Sequence, residues 1–284
     1  MRQHLTLFLA GWAVLAGCLG GSRAAAQSLI AEDPKDLYHW AYAAAFGTGA
    51  YRIGDTDQYS VRIYPKYVLS RFNQDRFSLN LRLPFTVGLQ SIDMDDIVNT
   101  PVSEQFATLS FVPGLGFYLP LHPRWRLNPY INYGWGTEVQ GETSAWIYFA
   151  GLNSRFLIHL KHLDIVVLNG VQWLGHNPDT APEERFARLF NGLEINLPLW
   201  DWELEGHRLV LKPHVVHYWY FDQLNLSIVQ ERPVELNQEV EVALAIGVQE
   251  QVSFWVFKFD RLGIGYRKGD EIEGFRLFFD SVFD

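Results

Sequence analysis

Phe77-Ser78-Leu79-Asn80-Leu81-Arg82-Leu83-Pro84-Phe85-Thr86-Val87-Gly88-Leu89 carries a large apolar residue at every odd position, and the even positions are small, polar or charged. Side chains of an extended chain point alternately to opposite faces, so this period of two describes a strand with one greasy and one wet face. At about 3.3 Å per residue the strand is roughly 40 Å long, well beyond the five or six residues usual in soluble sheets.

The same pattern recurs along the chain. Tyr59, Val61, Ile63, Tyr67 and Leu69 alternate with Ser60, Arg62, Tyr64, Lys66 and Ser70, and Trp125 to Trp135 alternates with Arg126, Asn128, Tyr130, Asn132 and Gly134. Val240 to Val248 alternates with Glu239, Glu241 and small residues, and Phe275, Leu277, Phe279 and Phe283 close the chain in the same way. No comparable stretch follows a helical period. The spacing predicts twelve strands near 39–53, 58–72, 76–90, 104–120, 125–138, 144–159, 163–176, 187–199, 207–222, 237–249, 252–268 and 271–283. In 252–268 the outward parity switches near Lys258-Phe259-Asp260-Arg261, which predicts a bulge there.

Composition agrees with a membrane-inserted sheet and excludes other classes. Of the 284 residues 48% are hydrophobic, 15% aromatic and 19% charged. The mean hydropathy of −0.04 is too neutral for a bundle of membrane helices. The net charge of −9, without a basic run, argues against a nucleic-acid partner, and a single Cys excludes a disulfide framework. At the front, Arg2 and His4 precede an apolar stretch from Leu5 to about Leu19, as in a secretory signal. Two ends to that signal compete: Ala24-Ala25-Ala26 as a cleavage site, or Leu15-Ala16-Gly17-Cys18 as a lipobox. The expected organisation is a signal over 1–26, a short periplasmic segment over 27–38 and a barrel over 39–284.

Tight connections at 73–75, 121–124, 160–162 and 249–251 alternate with long polar ones at 91–103, 177–186 and 223–236. Short turns at one rim and long loops at the other are the organisation of an outer-membrane barrel, and an even strand count returns both ends to the periplasmic side. A soluble sandwich alternates too, but its inward face is apolar. Here the face opposite the apolar one carries Arg62, Lys66, Arg82, Arg126, Arg155, Glu194, Lys212, Glu239 and Glu241. Such residues suit a wet lumen, because a charge on the lipid face costs about 2–4 kcal/mol at the bilayer midplane. The fold class expected is therefore all-β, a twelve-stranded antiparallel transmembrane β-barrel, with outer-membrane lipid as its surroundings. The basic early strands and acidic later ones are expected either to pair across the lumen or to line a narrow passage for a small polar solute.

The last strand, Gly274-Phe275-Arg276-Leu277-Phe278-Phe279-Asp280-Ser281-Val282-Phe283, resembles the C-terminal assembly signal of Gram-negative outer-membrane barrels. Asp284 after the aromatic and Ile272 at a position usually polar depart from it. Twelve strands with this ending resemble the β-domains of autotransporters, with passenger-free members of that group the nearest in kind. The resemblance implies Gly274, Leu277, Phe279 and Phe283 as the assembly signal, and the outer-membrane barrel assembly machinery as a partner. A dozen or so residues before the first strand leave no room for a passenger or a plugging helix.

Constellations for chemistry are thin. None of the 9 His residues is followed two positions later by Ser, the pairing that lipid-hydrolysing barrels use, and His217-Tyr218-Trp219 is the nearest shape. Asp93, Asp95, Asp96 and His176 are the groups that a peptide-cleaving outer rim would need. Carboxylates at Asp93-Met94-Asp95-Asp96 and Asp55-Thr56-Asp57 lack the spacing of a calcium loop. Asp201, Glu203 and Glu205 lie with Trp200 and Trp202 in an expected periplasmic turn, and His159 and His162 flank another. The residues therefore indicate no cofactor, no metal and no catalytic centre, with an enzyme acting on lipid or peptide at the outer rim as the alternative.

Overall fold

The computed structural model describes residues 46–53, 56–72, 77–91, 106–139, 143–179, 183–204, 207–226, 234–254 and 257–279. Fifteen β-segments follow in order: β1(Gly49–Ile53), β2(Thr56–Ile63), β3(Lys66–Phe72), β4(Phe77–Arg82), β5(Phe85–Ser91), β6(Phe106–Phe111), β7(Gly114–His122), β8(Trp125–Glu138), β9(Ser144–His159), β10(Asp164–Pro178), β11(Glu184–Leu204), β12(His207–Leu226), β13(Val234–Phe254), β14(Phe257–Gly269) and β15(Ile272–Phe278).

Three pairs of segments are halves of single strands, each interrupted by a proline. Tyr64-Pro65 separates β2 from β3, Leu83-Pro84 separates β4 from β5, and Val112-Pro113 separates β6 from β7. The register runs through unchanged: Ile63 faces Phe85 above the break and Lys66 faces Arg82 below it. Proline has no N–H to give to the ladder, so each ring erases one bond without shifting the strand. Its carbonyl still accepts, with Leu83 N donating to Pro65 O at 3.0 Å, Val112 N to Pro84 O at 3.1 Å and Tyr133 N to Pro113 O at 2.9 Å. The chain therefore makes twelve antiparallel passes, as the alternation predicts.

The sheet closes on itself. β1 pairs with β15 from Gly49↔Arg276 to Ile53↔Ile272, and β8 pairs with β9 along nearly its whole length. Closure separates a concave face from a convex one. Alternation decides which residue goes where: on β13, Glu241, Ala243 and Ala245 are buried while Val242 is 59% exposed, and on β8 Asn132 is buried while Ile131 is 61% exposed. The convex face is a belt of exposed Leu, Ile, Val and aromatic side chains. Contiguous apolar surface on this scale is a membrane signature rather than a soluble one. Among the described residues no helix is long and apolar enough to cross a membrane.

Four expectations need correcting. The first strand starts at Gly49 rather than at 39. Gly47 has φ of 81°, a backbone that favours glycine, and Phe46 before it is helical and buried on the concave face. Residues 39–45, like the signal expected over 1–26 and the segment expected over 27–38, lie outside the described residues. The turn expected at 249–251 is inside β13, which continues to Phe254. The irregularity near 258–261 is a register shift between Gly247 and Val252 on the partner strand, so that residues 248–251 accommodate the parity switch. The turn expected to hold Asp201 and Glu203 is also strand, with a register shift between Pro198 and Glu203 before the hairpin turns after Leu204.

Cysteine variants check the two faces. Ile131→Cys and Val242→Cys react only with a lipid-soluble thiol reagent in the bilayer-inserted protein, whereas Asn132→Cys and Ala243→Cys do not react with it. Equal labelling of both sets would overturn the assignment of faces.

Candidate functional site

The concave face is occupied at two levels. Nearer the rim with the long connections lies a cluster of inward apolar and aromatic residues, including Phe46, Ile147, Phe149, Phe186, Phe190 and Tyr218, each under a tenth exposed. The Phe190 ring approaches the next strand so closely that a Cβ on Gly170 would stand 2.2 Å from its Cζ. Glycine there is what admits the ring. Tyr51 Oη donates to the Phe46 carbonyl at 2.8 Å, which ties the residue before β1 to the inner wall.

Beside this cluster runs a belt of charge. Glu241, fully buried, accepts from Arg267 Nη2 at 2.6 Å and Nε at 3.1 Å, accepts from Arg276 Nη1 at 3.2 Å, and lies 3.2 Å from His214 Nε2. Glu239 accepts from Tyr220 Oη at 2.7 Å and has Arg267 Nη1 at 3.3 Å and Arg188 Nη1 at 3.7 Å. Arg188 Nε donates to Gln172 Oε1 at 2.7 Å, Gln172 Nε2 donates to Tyr130 Oη at 2.7 Å, and the Arg82 guanidinium lies over the Tyr130 ring at 3.8 Å. These links run without a gap from β15 through β13, β14, β11, β10 and β8 to β4. Several join strands that are not neighbours in the sheet, and such contacts form only on the inside of a closed wall. Arg188 and Arg267 also stack over Tyr218, at 4.8 and 4.6 Å. Arg261 of β14 grips Glu194 of β11 with both amino groups, Nη2 at 3.3 Å from Oε1.

The half nearer the short turns has a different character. Lys66 faces Arg82 as a Cα partner and Arg126 faces Arg155, so cations stand directly opposite one another on the inner wall. Like charges in that position repel. Aromatic faces offset part of this: the Tyr64 ring has Arg62 at 4.8 Å, Lys66 at 4.7 Å and Arg82 at 5.0 Å, and Tyr118 has Arg126 at 5.0 Å. Arg82 Nε also donates to the Tyr64 hydroxyl. Ser78, Asn80, Tyr118, Arg126, Asn128 and Arg155 are only partly buried, so this half is wet and basic. Lys212 is buried on β12, two positions from His214.

All nine charged residues singled out in the sequence stand on the concave face, but they do not meet as expected. Glu194, Glu239 and Glu241 are bound by Arg188, Arg261, Arg267 and Arg276, not by the early cations. Those arginines were missed, as were the linking Gln172, Tyr218 and Tyr220. The signal for them is the same parity: Arg188 shares its face with Phe186 and Phe190, and Arg267 and Arg276 follow the glycine-rich inner faces of the last two strands. Of the assembly residues, Leu277 and Phe279 are exposed on the convex face beside Phe275. Gly274 sits where a Cβ would stand 2.4 Å from the Ala50 carbonyl oxygen across the closing seam, and Phe283 lies outside the described residues.

Chemistry-bearing residues stay apart. His217 points outward between Val215 and Trp219 with Asn191 as its cross-strand partner, and no hydroxyl or thiol side chain occupies the flanking positions. His176 is buried at the end of β10, and Asp93, Asp95 and Asp96 lie outside the described residues. Asp57 is bound by Arg52 at 2.8 Å, and His159 Nδ1 lies 2.7 Å from Asp164. Among the described residues no group of three or more His, Cys, Asp or Glu side chains could hold a metal ion.

The fold and this interior define a closed antiparallel β-barrel of twelve strands with an apolar exterior and a charged concave face. No family model and no curated protein matches the sequence. Among solved structures the barrel is similar to the β-domain of the Bordetella autotransporter BrkA, with a TM-score of 0.44 and 12% identity over 81% of this chain and 93% of that one.

Breaking one buried pair checks the interior. Glu194→Ala leaves Arg261 without its carboxylate in a dry site and destabilises the barrel by about 3–5 kcal/mol. The loss is read as a lower temperature for conversion of the compact electrophoretic form. Replacing both Glu194 and Arg261 by Leu restores most of it, and a double variant as weak as the single one would remove the pair from the account.

Proposed function

We propose that the protein is an outer-membrane β-barrel of structural type, closed toward the cell exterior and open toward the periplasm as a basic vestibule. One observation supports the closed reading: the buried cluster around Phe46, Phe186 and Phe190 on the concave face. The Arg–Glu belt beside it crosses the path that a solute would take. The apolar belt supports placement in a bilayer. The orientation rests on the rule that barrel loops are long outside and short on the periplasmic side. A narrow pore for small polar solutes is the competing reading within the same class. Twelve strands do not decide between them, being intermediate between side-chain-filled barrels of eight and aqueous ones of sixteen. No catalytic role enters the proposal, since His217 and Asn191 meet no nucleophile.

Planar-bilayer recording of the purified wild type decides this. The closed barrel is nearly silent, and steady single-channel current would overturn the closed reading. Replacing Phe186 and Phe190 by Ser opens a conducting path. Its current favours anions, because the wall then lining it carries Arg62, Arg82 and Arg126.

The exposed row Phe275, Leu277 and Phe279 supports a last strand that is recognised during assembly by the outer-membrane machinery. Phe283→Asp lowers the yield of membrane-integrated, heat-modifiable protein at least several-fold. Wild-type yield from that variant would count against the assembly role.

A further inference from the structure

Away from the rims, the convex face carries one group of polar side chains other than Tyr and Trp among the described residues: Ser154, Asn169, Asn191 and His217. They are not scattered. Ser154 is the Cα partner of Asn169, Asn169 of Asn191, and Asn191 of His217, so one unbroken row crosses β9, β10, β11 and β12. Leu127 bounds the row at one end and Val240 at the other. Along the strands the next outward positions are apolar, Val167 and Val171 on β10 and Leu189 and Leu193 on β11. Ser154 Oγ accepts from Trp125 Nε1 at 3.0 Å, which satisfies that end of the row. Asn169 Nδ2 is buried and has no hydrogen-bond partner.

We propose that this row is the contact between two copies of the chain in the membrane. Hydrocarbon offers amide and imidazole groups nothing to bond to, so polar side chains there are satisfied by protein. The row carries no carboxylate, guanidinium or ammonium group, and it gives no reason to expect a charged partner. Each Asn side chain both donates and accepts, and neutral imidazole does the same. A surface of that kind is its own complement, as the isologous contact of a two-fold dimer requires. Strands of such barrels tilt by about 35–45°, so the row is inclined to the membrane normal. Two copies related by a two-fold axis along the normal therefore bring their rows together as a cross. The middle of the row, Asn169 and Asn191, meets its counterpart.

The inference rests on the reading that this belt lies in lipid, and the test separates the two. Full-length protein carrying Cys18→Ala is reconstituted into liposomes, and integration is scored by heat-modifiable migration. Association is followed by energy transfer between labelled copies as lipid dilutes them. Replacing Asn169 and Asn191 together by Leu, which lipid tolerates, weakens association at least tenfold without loss of integration. In parallel, Asn191→Cys forms a disulfide-linked dimer under mild oxidation, while Val61→Cys, exposed on β2 and away from the row in the strand order, does not. An integrated wild type that stays monomeric at every dilution overturns the dimer alone. So does a leucine variant that associates like wild type, or equal cross-linking from Val61→Cys. A chain that fails to integrate overturns the membrane reading with it.

Discussion

The pairing of Gly49–Ile53 with Ile272–Arg276 is the constraint on which the rest depends. An open sheet of this size would leave two rows of backbone donors and acceptors without partners, and in hydrocarbon no water replaces them. Closing the seam satisfies the described part of both rows and divides every strand into an inner and an outer face. The seam is steric as well as hydrogen-bonded. Gly274 and Gly49 face the opposing backbone at distances that exclude a Cβ, at 2.4 Å from Ala50 O and 2.3 Å from Phe275 O. Small residues are required where the first and last strands meet.

Once inside and outside exist, charge sorts by cost. The chain is acidic, at −9, yet its concave face is rich in Arg and Lys, and three of the buried carboxylates among them, Glu194, Glu239 and Glu241, each bind arginine. Two carboxylates on one strand gather Arg188, Arg267 and Arg276, and tyrosine rings and hydroxyls take the remaining faces of the guanidiniums. Arginine suits this role better than lysine because its planar fork binds a carboxylate and stacks on a ring at once. Arg62, Lys66 and Arg82 gather around the Tyr64 ring and Arg126 lies over Tyr118, on the half of the wall nearer the short turns.

Much of this was legible in the chain itself. A period of two held over Phe77–Leu89 is a physical statement about two solvents on two faces, and the same parity sets Arg62, Arg82, Glu194 and Glu241 opposite the apolar side. Partner choice was not legible. The alternation says that Glu241 points inward, but Arg267 and Arg276 become its partners through register and through a curvature that brings β13 and β15 together across β14. The start of the first strand was misread because Ala41 to Tyr51 lacks a strong period of either kind, and the decisive signal is one glycine, Gly47, turning the chain inward. The prolines at 65, 84 and 113 look like strand ends in isolation. The alternation nevertheless runs through them, and their alignment on neighbouring strands keeps the passes in one register.

The charged belt also bears on register. Sliding one strand past its neighbour by a single residue turns every inward side chain outward. In a soluble sheet facing water that error exposes apolar groups. Here it would drive Glu239, Glu241 or Arg267 toward hydrocarbon and bring Val240, Val242 and Tyr266 into the lumen, while stranding the partners of each displaced charge. A slip on β13 alone breaks contacts to Arg188, Arg267, Arg276, Tyr220 and His214, which lie on four different strands. A buried ion pair is weak evidence for stability when compared with a well-packed apolar alternative. Its effect on alternatives is another matter, because incorrect registers lose several of these contacts together. Penalising those registers is a contribution that a lumen packed only with leucine could not make, since leucine is accepted on either face of the wall.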